Sequence, residues 1–152
     1  MVRRLTLLIA LTFVLGLLFA PPAHAATEVR HACVTRGPVS GDTVLVCARL
    51  FDDGFRSFYA YGGMDGSNAE PVLYIDALHL RYNLYGLEYV AVRAQAKSGR
   101  DYINQRTASV TFNDCNADVF AIIGYHIIWQ NGQRTPASGQ ANVRTGTWPA
   151  CG

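Results

Sequence analysis

The chain is 152 residues long, half of them hydrophobic by composition, with thirteen basic and eleven acidic side chains. That length suits one domain with a single core. Arg3 and Arg4 account for the whole basic excess, so no Lys/Arg cluster remains to mark a nucleic-acid or anionic-membrane surface.

Reading from the N-terminus, Arg3 and Arg4 precede an uncharged, largely apolar run from Leu5 to Ala20, then Pro21, Pro22 and the triplet Ala23-His24-Ala25. This is the n-region, h-region and small-x-small cleavage site of a Sec signal peptide. The run of sixteen residues is shorter than the about 20 that span a bilayer as a helix, and prolines follow at once. A twin-arginine signal would place a bulky apolar residue where Thr6 stands. Lipidation at Cys33 would need a small or apolar run where Arg30 and His31 stand. Cleavage after Ala25 is expected, making 1–25 a signal peptide and 26–152 a single secreted domain with no membrane anchor. The 127 remaining residues carry eleven basic and eleven acidic side chains, a net charge of zero.

Cys33, Cys47, Cys115 and Cys151 all follow the signal. An even cysteine count in a small exported domain predicts two disulfides. Cys33 and Cys47 flank the turn-rich segment 36–42, which would fold them side by side, so Cys33–Cys47 with Cys115–Cys151 is the favoured pairing. The rival Cys47–Cys115 has the separation of an immunoglobulin core bridge, but Tyr59 and Tyr61 stand where that fold carries a tryptophan. Zinc usually takes closely spaced ligand pairs, and no two of these cysteines are nearer than fourteen residues.

The segments 28–36, 43–51, 56–61, 72–82, 88–96, 109–113, 119–130 and 142–147 are rich in β-branched and aromatic residues and show no helical period. Turn signals separate them: Asp52-Asp53-Gly54, the glycine-rich 62–66, Lys97-Ser98-Gly99, and Asn131-Gly132, whose residues tolerate positive φ. About eight strands at this spacing predict an all-β domain, an antiparallel β-sandwich of immunoglobulin-like or Greek-key type. In two strands simple alternation leaves both faces apolar. From Val72 one face carries Leu78 and Leu80 while the other carries Leu73 and Ile75. From Val119 the row ending in Tyr125, Ile127 and Trp129 backs onto Phe120, Ile122, His126 and Ile128. A loop, a chain end, a partner subunit or a ligand is expected over the second face.

Catalytic motifs are absent from the sequence: there is no nucleophile elbow, zincin helix or phosphate-cradling loop. His31, His79 and His126 survive processing, each inside a candidate strand. Asp76 and His79, three apart on a strand, are expected on opposite faces and unable to pair directly. Asp76, His79 and His126 are therefore weak catalytic candidates. Asp114, Asn116 and Asp118 space oxygen ligands two apart, a weak calcium pattern lacking the glycine and distal glutamate of a calcium loop, so an Asx turn is expected there. No cofactor is implied. Tyr and Trp pair a flat apolar ring with a hydrogen-bonding tip, and Tyr82, Tyr85, Tyr89, Trp129 and Trp148 are the candidate binding residues. A secreted non-catalytic module that binds a glycan, an envelope polymer or a protein is the preferred expectation; a small hydrolase is the alternative. No nucleic-acid partner is expected, and a homo-oligomer remains compatible with the sequence.

Overall fold

In a computed structural model, residues 25–135 and the backbone of 140–144 are described. All regular elements among them are strands, in order β1 Thr27–Val39, β2 Asp42–Gly54, β3 Ser57–Gly66, β4 Val72–Leu84, β5 Leu87–Ala94, β6 Lys97–Arg100, β7 Tyr102–Arg106, β8 Val110–Thr111, β9 Asp118–Ile128 and β10 Gln140–Arg144. They form two antiparallel five-stranded sheets. The first runs β1-β2-β3-β7, with β8 also on β3; the second runs β10-β9-β4-β5, with β6 also on β4.

Period-two patterning builds one core from both sheets. Val44, Val46, Ala48 and Leu50 line one face of β2, and Leu73, Ile75, Leu78 and Leu80 enter the same core from β4. From β9, Ala121, Ile123, Tyr125 and Ile127 join the same cluster. Gly62 lets the layers approach: a Cβ there would stand 2.8 Å from Ile123 Cδ1 and 3.1 Å from Leu78 Cδ1. The glycine-rich stretch predicted as a turn is thus a continuation of β3, where missing side chains serve packing. Arg36 adds a polar tie between the sheets, its Nε donating to the Tyr125 hydroxyl at 2.6 Å.

Leu73, Ile75, Leu78 and Leu80 are all buried, a pattern that unbroken alternation cannot give. A bulge between Ile75 and Ala77, where β4 slips against β9, resets the parity. One extra residue rotates the rest of the strand by one face. The apparent double apolar face of β4 disappears, and its outer row becomes Tyr74, Asp76, His79 and Arg81. This also corrects the expectation that Asp76 and His79 face opposite ways, since both lie away from the core. On β9 the second apolar face is real. Phe120 and His126 are buried there, outside the shared core.

Cys33 and Cys47 are directly paired across β1 and β2 and joined by a disulfide. The bridge therefore links neighbouring strands of one sheet, which removes the Cys47–Cys115 alternative. No cysteine among the described residues is free, and Cys151, the predicted partner of Cys115, lies outside them. Three hairpins turn through two consecutive left-handed residues, at Ser40-Gly41, Phe55-Arg56 and Tyr85-Gly86, which suits the right-handed twist of the strands they join. Asn131-Gly132 also turns the chain: Gly132 has φ +79°, and the Trp129 and Gly132 amides donate to Gln133 and Trp129 carbonyls at 2.9 Å. The short strands β6 and β7 were not expected, because Lys97-Ser98-Gly99 carries turn residues and no apolar alternation.

Candidate functional site

The β4–β5 hairpin and the segment following β8 enclose a cleft of about 430 Å³ at one end of the molecule, lined by Tyr82, Leu84, Val90, Ala91, Phe112 and Asp114, among others. Its aromatic wall is Tyr82 with Phe112, and Tyr89 flanks the cleft from outside that lining. Tyr82 and Tyr89 are cross-strand partners and stack with ring centroids 5.1 Å apart at 22°. Phe112 meets Tyr82 edge-on at 5.3 Å and contacts Phe58 at 6.3 Å, so the wall is anchored in the core. Such ring pairs add to area burial and hold the side chains in place. The Phe112 amide donates to the Arg56 carbonyl at 3.1 Å, bringing the Phe55-Arg56 hairpin tip to the same end.

The two tips are unusual in composition. Phe55 and Tyr85 are 85% and 79% exposed while holding φ values of 51° and 52°. Bulky side chains rarely occupy the left-handed region, where Asn and Gly would fit at lower cost. Strain of this sort, combined with an exposed aromatic ring, is a feature of contact surfaces more than of scaffolding.

Of the predicted binding residues, Tyr82, Tyr85 and Tyr89 are brought together at this end. Trp129 is not: it is 3% exposed, its Nε1 donates to Thr135 Oγ1 at 2.7 Å, and its place in the alternating row with Tyr125 and Ile127 already pointed inward. Trp148 lies outside the described residues. Asp114 lines the cleft, yet its carboxylate accepts the Asn116 amide at 2.9 Å, the expected Asx turn, and Asp118 opens β9 opposite Asn83. Among the described residues no group of three His, Cys, Asp or Glu side chains is placed to hold a metal. Phe112 was missed by sequence reasoning, and Phe55 was not singled out from the other aromatic residues. Phe112 sits within a candidate strand but carries no distinguishing neighbour, whereas Phe55 follows a turn signal.

On the outer face of the second sheet the β4 bulge directs Asp76 Oδ2 to 2.7 Å from His126 Nδ1. Tyr74 stacks on the same imidazole at 4.2 Å and 9°. Two of the three weak catalytic candidates therefore meet, across two strands instead of within one. His126 is 9% exposed, and among the described residues no hydroxyl or thiol is hydrogen-bonded to it. The couple can fix a tautomer and a ring orientation, and among the described residues no nucleophile is hydrogen-bonded to it. His79 stands apart, and burial followed by the Arg93 and Arg81 charges holds its imidazolium form below the usual range.

No family model, curated protein or solved structure matches the chain.

Proposed function

We propose that the protein is a secreted, non-catalytic binding module whose end cleft takes a sugar ring of an extracellular or envelope glycan. The supporting observation is the cleft itself, about 430 Å³, the size of small-ligand sites, with an anchored aromatic wall and the polar side chains of Thr111, Asn113 and Asp114 beside it. The Tyr82–Tyr89 stack offers a flat face for the apolar side of a pyranose, and the hydroxyls at the ring tips offer hydrogen bonds. Tyr85 and Leu87, both exposed, extend this surface along the rim.

The reading includes a β-sandwich, supported by the core that the two sheets share, and of Greek-key type, since the observed bridge lies within one sheet. It includes a second disulfide, Cys115–Cys151, supported by the lack of a free thiol among the described residues. Export with removal of 1–25 accords with the Cys33–Cys47 bridge, because disulfides persist in oxidising compartments. The hydrolase alternative would rest on Asp76 and His126, whose imidazole lacks a hydroxyl or thiol partner among the described residues.

Pull-down on insoluble polysaccharides, run beside capture from culture-supernatant proteins, tests the assignment. Retention by a polysaccharide, lowered about tenfold in Tyr89→Ala, is expected for a ring that stacks on the ligand. Retention only by a protein would move the site to another class of partner, and retention by neither would overturn the binding assignment.

A further inference from the structure

The outward row of the first sheet carries a second constellation, remote from the cleft residues in register. Strand pairing places His31, Arg49, Tyr61 and Arg106 side by side across β1, β2, β3 and β7. At an inter-strand spacing of about 4.8 Å, the Cα atoms of the two arginines stand about 10 Å apart with that of Tyr61 between them. Next to this row, Phe51 stacks on Tyr59 at 5.0 Å and 4°. The Arg106 guanidinium covers the Tyr59 ring at 4.3 Å, so the aromatic stack ends in a cation.

Gly63 leaves a depression of about 70 Å³ in this face, with the disulfide-bonded Cys47 in its lining and Arg49, Tyr61, Asp65 and Tyr102 around it. The Tyr61 and Tyr102 hydroxyls meet at 2.7 Å. Burial, then the Tyr102 hydrogen bond, pushes the Tyr61 phenol up to about 12. The Tyr61 phenol thus stays neutral outside strongly alkaline conditions.

The two cations are poorly neutralised by the protein itself. Arg49 reaches Glu28 at only 3.4 Å, and its Nε is buried without a hydrogen-bond partner. Arg106 is exposed and makes no ion pair among the described residues. Flat aromatic rings on a sheet suit a chain of sugar rings; guanidinium groups beside them suit carboxylates, which they bind with charge-assisted hydrogen bonds. Asp65 supplies an acceptor for sugar hydroxyls.

We propose that this face binds a linear acidic polysaccharide, with ring carboxylates on Arg49 and Arg106 and a sugar ring over Tyr61. A neutral glycan would leave both guanidiniums unused. The proposal shares the glycan-module reading but not its cleft.

Calorimetric titration of the disulfide-bonded protein with polygalacturonate oligomers, and with the same oligomers fully methyl-esterified, separates charge from ring stacking. The acid should bind at least about tenfold more tightly than the ester, and more weakly as salt rises. Arg49→Gln and Arg106→Gln should each weaken binding about fivefold or more. Gly63→Ala, whose Cβ would meet the Tyr61 ring at an ordinary 3.5 Å, should fold normally and weaken binding by filling the depression. Tyr89→Ala, beside the cleft, should leave this affinity unchanged. Equal affinity for acid and ester, no binding of the acid, or unaltered binding in both arginine variants would overturn the proposal. Loss of binding in Tyr89→Ala alone would overturn it too, while keeping the cleft. Self-association in sedimentation velocity that Arg106→Gln abolishes would assign the face to a second copy instead.

Discussion

Single side chains at the outer surface of the second sheet are set by electrostatics that the sequence does not display. His79 lies on β4 with Arg81 two residues along the same strand and Arg93 opposite it on β5. Burial, with Arg93 and Arg81 adding to it, lowers its affinity for a proton below that of a free imidazole. The unfolded chain therefore takes up the proton first as pH falls, and His79 contributes stability that is lost on acidification through the ordinary value of 6.5. The thermal midpoint should drop between about pH 7.5 and about pH 5, and His79→Gln should make that drop smaller. An identical drop in the variant would assign it to other groups. The tyrosines at the cleft were legible as candidates because they flank a loop in a strand-rich chain. The partners that hold them in place, Phe112 above all, were not, because an edge-on ring contact between distant strands leaves no local spacing.

Elements were easier to find than their faces. Seven of the predicted segments overlap β1 to β5, β8 and β9, and the last overlaps β10, since alternation and turn residues report the strand period directly. What alternation cannot report is an inserted residue. The bulge at Asp76 turns Leu78 and Leu80 inward and puts a carboxylate beside His126, so one backbone irregularity decides both the core and the nearest approach to an acid–base couple. Deletion of Asp76 should rotate the second half of β4 by one face, expose Leu78 and Leu80, and yield insoluble or unfolded protein. Asp76→Asn keeps the backbone count and should fold, with a stability loss of about 1 kcal/mol or less for the partly exposed hydrogen-bonded pair. Soluble, cooperatively melting protein from the deletion would show that the strand can slip back into register. Glycines were misread for a related reason: a run of Gly marks a turn in most strand-rich sequences, but in β3 it marks close packing.

For the molecule as a whole, the cysteine arithmetic succeeded where geometry is local, since a hairpin brings Cys33 and Cys47 together by sequence alone. Reduction of this bridge, or the double Cys33→Ala, Cys47→Ala variant, should lower stability by up to about 3 kcal/mol, the loop-entropy value for a closure of this size. The β1–β2 hairpin limits the unfolded chain in the same region, so the measured loss should fall below that figure. Denaturant midpoints of the two forms check it, and equal midpoints would make the bridge irrelevant to folding. Mass spectrometry of protein recovered from the culture medium should find a start at Ala26 and no free thiols, and a chain still carrying residues 1–25 would overturn the proposed processing.

The paired glycines of β3 carry a consequence for how this molecule can change. Gly62 faces the interior, where its missing side chain sets the distance between the layers, and Gly63 faces outward, where its missing side chain sets the depth of the arginine-flanked depression. Floor and ceiling are one peptide unit apart. A lineage that deepened or filled the outer hollow by shifting this strand would at once alter the spacing of the hydrophobic layers, so the surface and the interior are bound to vary together through two adjacent codons.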